Sequence, residues 1–189
     1  MPLRLFLIAV SLAVLACLPR PLSATTLMHL DTPALVRGSS GIVIGQVQDQ
    51  RSYWNEERTA ILTDVTVSVS DVLKGDAAGV VTLTQFGGEV GGFRYEIAGS
   101  PMFRPGEEVL LFLWRDSRGR TQVNGLGQGK FDISRDGATG ERLLQRAAPG
   151  LTIRDARTLA RSSPGDSSAH VPLRAMLREI HRTLEEDGR

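Results

Sequence analysis

The residue types that carry chemistry are few in this chain and poorly spaced for it. The three histidines are His29, His170 and His181. No HExxH spacing sets two imidazoles on one helix face for zinc. His170 precedes Pro172 and falls before the helix expected to start there, so it does not share a helix face with His181. All three read as solvated histidines. Calcium needs oxygens that converge at loop spacing, and Asp132 and Asp136 are too sparse to supply them. A nucleophilic serine would need a G-x-S-x-G elbow. The chain has none, and Ser39-Ser40 between Gly38 and Gly41 reads as a helix-to-strand turn. Gly125-Leu126-Gly127-Gln128-Gly129-Lys130 has the look of a phosphate loop. That motif would place glycine at 124 and Ser or Thr at 131, where Asn124 and Phe131 stand. The segment reads instead as a strand corner. Glu56-Glu57 and Glu107-Glu108 are adjacent pairs, and neighbours on a strand point to opposite faces. Neither pair makes an acid/base dyad. No catalytic residue, metal or cofactor is expected.

Binding residues are easier to nominate. Glu89 stands inside Gly87-Gly88-Glu89-Val90-Gly91-Gly92. There its carboxylate is placed to accept from nearby backbone N–H groups or to meet a partner; the alternative is a plain flexible turn. The aromatic candidates for binding are Tyr53, Trp54, Phe93, Tyr95, Phe103 and Trp114. Tyr53 and Trp54 flank a polar turn at a strand end, so one of them must face outward, able to stack on sugar or pack on protein. Trp114 and Phe112 are expected in the core, and Trp54 stays open between core and surface. The candidate partner-binding set is Tyr53, Trp54, Glu89, Gly87, Gly88, Gly91 and Gly92.

The elements that would position these residues follow from periodicity. Thr32 is an N-cap candidate with Pro33 at the first helical position, so a short helix is expected before Gly38. Ile42 begins a strand that runs to Trp54, and Asn55-Glu56-Glu57-Arg58 turns the chain. Ile61, Thr63, Val65, Val67 and Val69 then alternate with Leu62, Asp64, Thr66, Ser68 and Ser70, nearly the strict period of a strand with one buried face. That strand continues to Val72-Leu73, and Lys74-Gly75-Asp76 ends it. Val80 to Phe86 forms a third strand. Gly87 to Gly92 is expected to be a loop, since so many glycines weaken a strand entropically. Phe93 to Ile97 is a short strand candidate. Val109 to Trp114 is a continuous apolar run, which fits a strand buried on both faces. Thr121–Val123 and Lys130–Ser134 follow it. Leu173, Met176, Leu177, Ile180 and Leu184 mark one face of a helix beginning at Pro172, with fraying expected at Glu185-Glu186-Asp187.

The ends bound the compartment. Arg4 precedes the uncharged run Leu5–Leu18. A membrane-spanning helix needs roughly 20 apolar residues, so the run suits a signal peptide, residues 1–24, cut near Ala24. Val14-Leu15-Ala16-Cys17 also resembles a lipobox, which would anchor the chain by lipid at Cys17. Cleavage near Ala24 removes the only cysteine and leaves about 165 residues, one domain's worth. Loss of Arg4 and Arg20 takes the 22 basic residues to 20 against 21 acidic ones, a net charge near −1. That balance argues against nucleic acid. No transmembrane segment is expected in the mature chain, and the expected location is periplasmic or secreted.

Five to seven strands with a helix at each end indicate a mainly β fold, a small barrel or sandwich. The expected organisation is a β-barrel domain over 25–135, a polar and partly mobile linker over 136–170, and a C-terminal helix over 171–186. Residues 35–115 resemble the OB-type barrel of the netrin-like group, which includes tissue inhibitors of metalloproteinases. The pieces that carry the resemblance are GIVIGQV (41–47), TDVTVSVSDVLKG (63–75) and PGEEVLLFL (105–113). The chain is also similar to uncharacterised bacterial exported proteins with GGEVGG- and GQGKF-like stretches, here 87–92 and 127–131. Those inhibitors present an N-terminal cysteine to zinc, and a mature chain starting at Thr25 has none. The resemblance therefore implies the barrel and not the inhibitory chemistry. The expected function is that of an exported, non-enzymatic binding module for a protein or glycan of the cell envelope. The alternatives are a companion or inhibitor of a secreted metalloprotease, and a hydrolase with a site assembled from scattered Asp, Glu and His.

Overall fold

The computed structural model describes residues 26–77, 79–146, 152–154 and 170–188. The expected leader, with Cys17, lies outside them, as do 147–151 and 155–169 of the expected linker. The described chain begins with β1 (Thr26–Met28) and the short helix α1 (Thr32–Gly38). The cap of α1 is Asp31 rather than Thr32: Ala34 N–H donates to Asp31 Oδ1 at 2.8 Å. A carboxylate one residue earlier satisfies the free amides of the first turn, with Pro33 still inside it.

The alternation read in the sequence builds the centre. β2 (Gly41–Trp54) and β3 (Ile61–Lys74) form a long antiparallel hairpin. Asn55 holds its turn, accepting from Thr59 and Ala60 N–H at 2.8 and 3.0 Å. β4 (Val80–Phe86) pairs with β3. The glycine segment is not all loop. β5 (Gly88–Val90) and β6 (Phe93–Tyr95) form a small hairpin around Gly91 and Gly92, whose φ values are 59° and 81°. Two residues at positive φ make the turn whose twist matches paired strands, so the glycines close a hairpin there.

β7 (Glu108–Arg115) pairs with β2 on one side. Its other side is shared by β8 (Thr121–Val123) and β9 (Lys130–Arg135), with the 3-10 turn Leu126–Gly129 between them. β10 (Arg142–Arg146), inside the segment expected to be a linker, pairs with β9 across a turn held by Asp136. β11 (Thr152–Arg154) lies parallel to β1. β12 (Val171–Pro172) edges β10 and leads into the helix α2 (Leu173–Asp187). The helix stays intact through Glu185 and Glu186. Gly188 N–H closes it on Leu184, and Asp187 lies 3.9 Å from Arg37 of α1.

The result is an eight-stranded antiparallel sheet in the order β12-β10-β9-β7-β2-β3-β4, with β8 also on β7. Its hydrogen bonding is open at β4 and β12, where a closed barrel was one expectation. β8 nevertheless comes beside β4, with no ladder between them. Apolar clusters lie on both faces of the sheet. On one, Leu35 and Val36 of α1 and Leu173, Met176 and Ile180 of α2 pack on Ile42, Ile44, Leu110, Phe112 and Phe131. On the other, Val43, Val47, Val65, Val67, Leu83, Phe103, Val109, Leu111, Leu113 and Val123 form a second core. β7 feeds both, which is why its sequence is unbroken apolar. Trp114, expected in the core, is 37% exposed, because it lies opposite Gln122 where β7 leaves the buried layer.

Candidate functional site

The second core ends in polar residues. Ser52 on β2 is opposite Thr63 on β3, and Thr63 is opposite Gln85 on β4. Three neighbouring strands thus place a hydroxyl, a hydroxyl and a carboxamide in one cross-strand row, where Val65 and Leu83 stand in the next. Ser52 and Thr63 hydroxyls are hydrogen-bonded at 2.8 Å, and Thr63 Oγ1 donates to Gly87 O at 2.6 Å. The β5–β6 hairpin lies directly on this pair. A Cβ at Gly88 would stand 2.3 Å from Thr63 Oγ1 and 2.4 Å from Ser52 Oγ, and Gly88 has φ of 131°. Only glycine fits such an approach.

Between this row, the hairpin and the segment 96–103 is a cleft of about 820 Å³. Ser52, Thr63, Gln85 and Gln50 supply its uncharged polar wall. Phe86, Tyr95, Met102 and Phe103 supply its apolar surface, with Tyr95 43% exposed. Arg94, at the rim, lies 3.0 Å from Glu96 and 4.0 Å from Glu89. The segment 96–103 is tied down where Gly127 N–H donates to Gly99 O at 2.8 Å and where Phe103 enters the core.

The nominated residues divide. Gly87, Gly88 and Glu89 line the cleft. Gly91 and Gly92 form the hairpin turn outside it, with open space around each. Trp54 meets Phe93 edge-on at 6.0 Å beside the hairpin, and Phe93 is 66% exposed. Tyr53 belongs to the opposite face, where its hydroxyl donates to Asp64 at 3.1 Å and Thr84 donates to the same carboxylate oxygen. Burial first, and the Asp64 hydrogen bond second, push the Tyr53 phenol above its ordinary value. The residues that sequence reasoning missed are Ser52, Thr63, Gln50 and Gln85. For Thr63 and Gln85 the signal was present, since each is in phase with the inward Val65 and Leu83; Gln50 and Ser52 come to this face only through the register shift after Val47, which alternation does not show.

The GQGKF stretch has internal duties. Leu30 N–H donates to Gln128 Oε1 and Gln128 Nε2 donates to Met28 O, both at 2.9 Å. Lys130 is fully buried. Its ammonium lies 2.9 Å from Glu107 Oε1, contacts Asp132, and sits 5.0 Å from the centre of the Phe103 ring. Glu108 turns to the other face and pairs with Arg142, so the adjacent glutamates diverge as strand geometry requires. The other lysine, Lys74, donates to Val36 O at 2.7 Å. In a chain whose remaining basic residues are all arginine, the two lysines hold internal partners.

Among the described residues no group of three or more His, Cys, Asp or Glu is placed to hold a metal ion, and no helix is long and apolar enough to cross a membrane. No protein-family model matches the chain, nor does a curated protein or a solved structure.

Proposed function

We propose that this chain is an exported binding module whose ligand enters the cleft beneath the glycine hairpin. The observation that carries the reading is the cross-strand row Ser52–Thr63–Gln85, polar at inward positions and roofed by Gly87 and Gly88. A strand end that only needed to finish a core would carry apolar residues there. A cleft of this volume, mixing apolar rings with a few convergent polar groups, has the make-up of a small-ligand site. Export is supported by the charged start, the short apolar run and the small residues near Ala24. The OB-type barrel is supported by β8 lying beside β4, where the Arg120 guanidinium sits 5.3 Å from the Phe86 ring centre and bridges the gap in the ladder.

Photocrosslinking in cells that express the protein tests the site. Benzoylphenylalanine at position 95 should yield a discrete adduct that the same residue at position 114, outside the cleft, does not. Identical adduct patterns from the two positions, or none from either, would reject the cleft as the site of action.

A further inference from the structure

We infer that the cleft takes a neutral oligosaccharide. The inference rests on the binding-module reading and adds the chemical class of the ligand.

The polar groups that face the cleft floor carry no charge: two hydroxyls, Ser52 and Thr63, and the carboxamides of Gln50 and Gln85. At the rim Arg94 lies between Glu96 and Glu89, one cation against two carboxylates, so an anion meets no free cation there. An anionic ligand would be disfavoured at that rim, and any full charge carried down to the uncharged floor would lose hydration without a partner. The two hydroxyls are already bonded to each other and to Gly87 O, so the carboxamides of Gln50 and Gln85 are the groups that a hydroxyl-rich neutral ligand meets. Gln85 gives the floor an open valence. Its carboxamide oxygen is buried and, among the described residues, has no hydrogen-bond partner. A buried acceptor left unpaired is costly, and a sugar hydroxyl is a donor of suitable reach. Aromatic rings also line the cleft, Tyr95, 43% exposed, together with Phe86 and Phe103. A flat ring at the edge of a row of amides and hydroxyls suits a sugar, which has one polar rim and one C–H face. The volume of about 820 Å³ gives room for a short run of sugar rings. A peptide is the competing macromolecule, because β6 is an exposed strand. At three residues, though, it offers little ladder for strand addition.

The chain has two tryptophans, so Trp114→Phe leaves Trp54, beside the hairpin, as the only reporter. Maltotriose, cellotriose and chitotriose are titrated against this protein by fluorescence and by saturation-transfer NMR, with a pool of uncharged decapeptides run in parallel. At least one trisaccharide should give saturable binding. Tyr95→Ala and Gln85→Leu should each weaken that binding tenfold or more, while Glu185→Gln, on the exposed side of α2, leaves it within twofold. Thermal midpoints of the variants show that they fold, and the exposure of Tyr95 makes its removal tolerable. If no trisaccharide saturates, or if binding ignores both cleft variants, the inference falls. Decapeptide binding that is lost in Tyr95→Ala, with no sugar binding, also overturns it while leaving the cleft as the ligand site. Failure of every probe together with absence of a position-95 crosslink removes both readings.

Discussion

Lys130 shows how much one side chain can be asked to do. Its ammonium is buried between Glu107 and Asp132 and lies against Phe103, a ring that is also part of the cleft. Taking a charge out of water is expensive, and partners offset that cost only when they are in place. Lys130→Met therefore strands two carboxylates, and urea unfolding should show a loss of about 3–5 kcal/mol. Adding Glu107→Gln and Asp132→Asn to it should recover most of that loss. Tyr53 gives a prediction in pH. Its phenol is raised above the ordinary value by burial and by Asp64. The stability it contributes is complete below the unfolded pKa of about 10 and is lost as pH rises through the higher folded value. Stability measured from pH 9 upward should fall less steeply in Tyr53→Phe than in the parent. Tyrosinate absorbance should lose its late-titrating component in that variant. Neither role could be read at the residue level. In sequence Lys130 ends a phosphate-loop imitation, and Tyr53 is one of two adjacent aromatics of which one must face outward. Burial is decided by which strand face a residue takes and by what lies opposite, and both depend on distant chain.

Elements were more legible than roles. The period of two in 61–69 and the apolar run in 109–114 gave β3 and β7 directly, because side-chain periodicity is a local property. The i, i+3, i+4 spacing of Leu173, Met176, Leu177 and Ile180 gave α2 in the same way. The β5–β6 hairpin was hidden by the very residues that make it. Glycine density argues for a loop, while Gly91-Gly92 at positive φ supplies a hairpin turn. What decides between them is docking onto Ser52 and Thr63, which lie 36 and 25 positions before Gly88 in the chain. Substitutions on this hairpin should separate turn from docking. Gly91→Asn keeps a residue that tolerates positive φ in open space and should change stability by less than about 0.5 kcal/mol. Gly88→Ala drives a methyl into two hydroxyl oxygens and should cost about 1–3 kcal/mol by strain and overpacking. Denaturant midpoints measure both, and an innocuous Gly88→Ala would mean that the hairpin does not sit on the strand row.

At the scale of the whole molecule, the sheet divides two apolar layers, and β7 is common to both. A barrel reading from sequence catches the second layer and underrates the first, since it leaves the two helices as appendages. In the structure they cover the β2, β7, β9 and β10 part of one face, with Ile180 fully buried and Leu173 and Met176 beside it. The candidate cleft needed this level of description. Ser52, Thr63 and Gln85 stand apart in sequence, and only register brings them into line. The same long range governs the beginning of the chain. The backbone at Met28 and Leu30 finds its partner in the amide of Gln128, 100 and 98 positions onward. Contacts of such separation form late, because a long loop must first be closed. When the polypeptide is delivered from its amino end, as in synthesis, Met28 and Leu30 stay unmatched until about a hundred further residues have followed them. An incompletely delivered copy has nothing with which to latch its own start, and so remains pliable for the remainder of the passage.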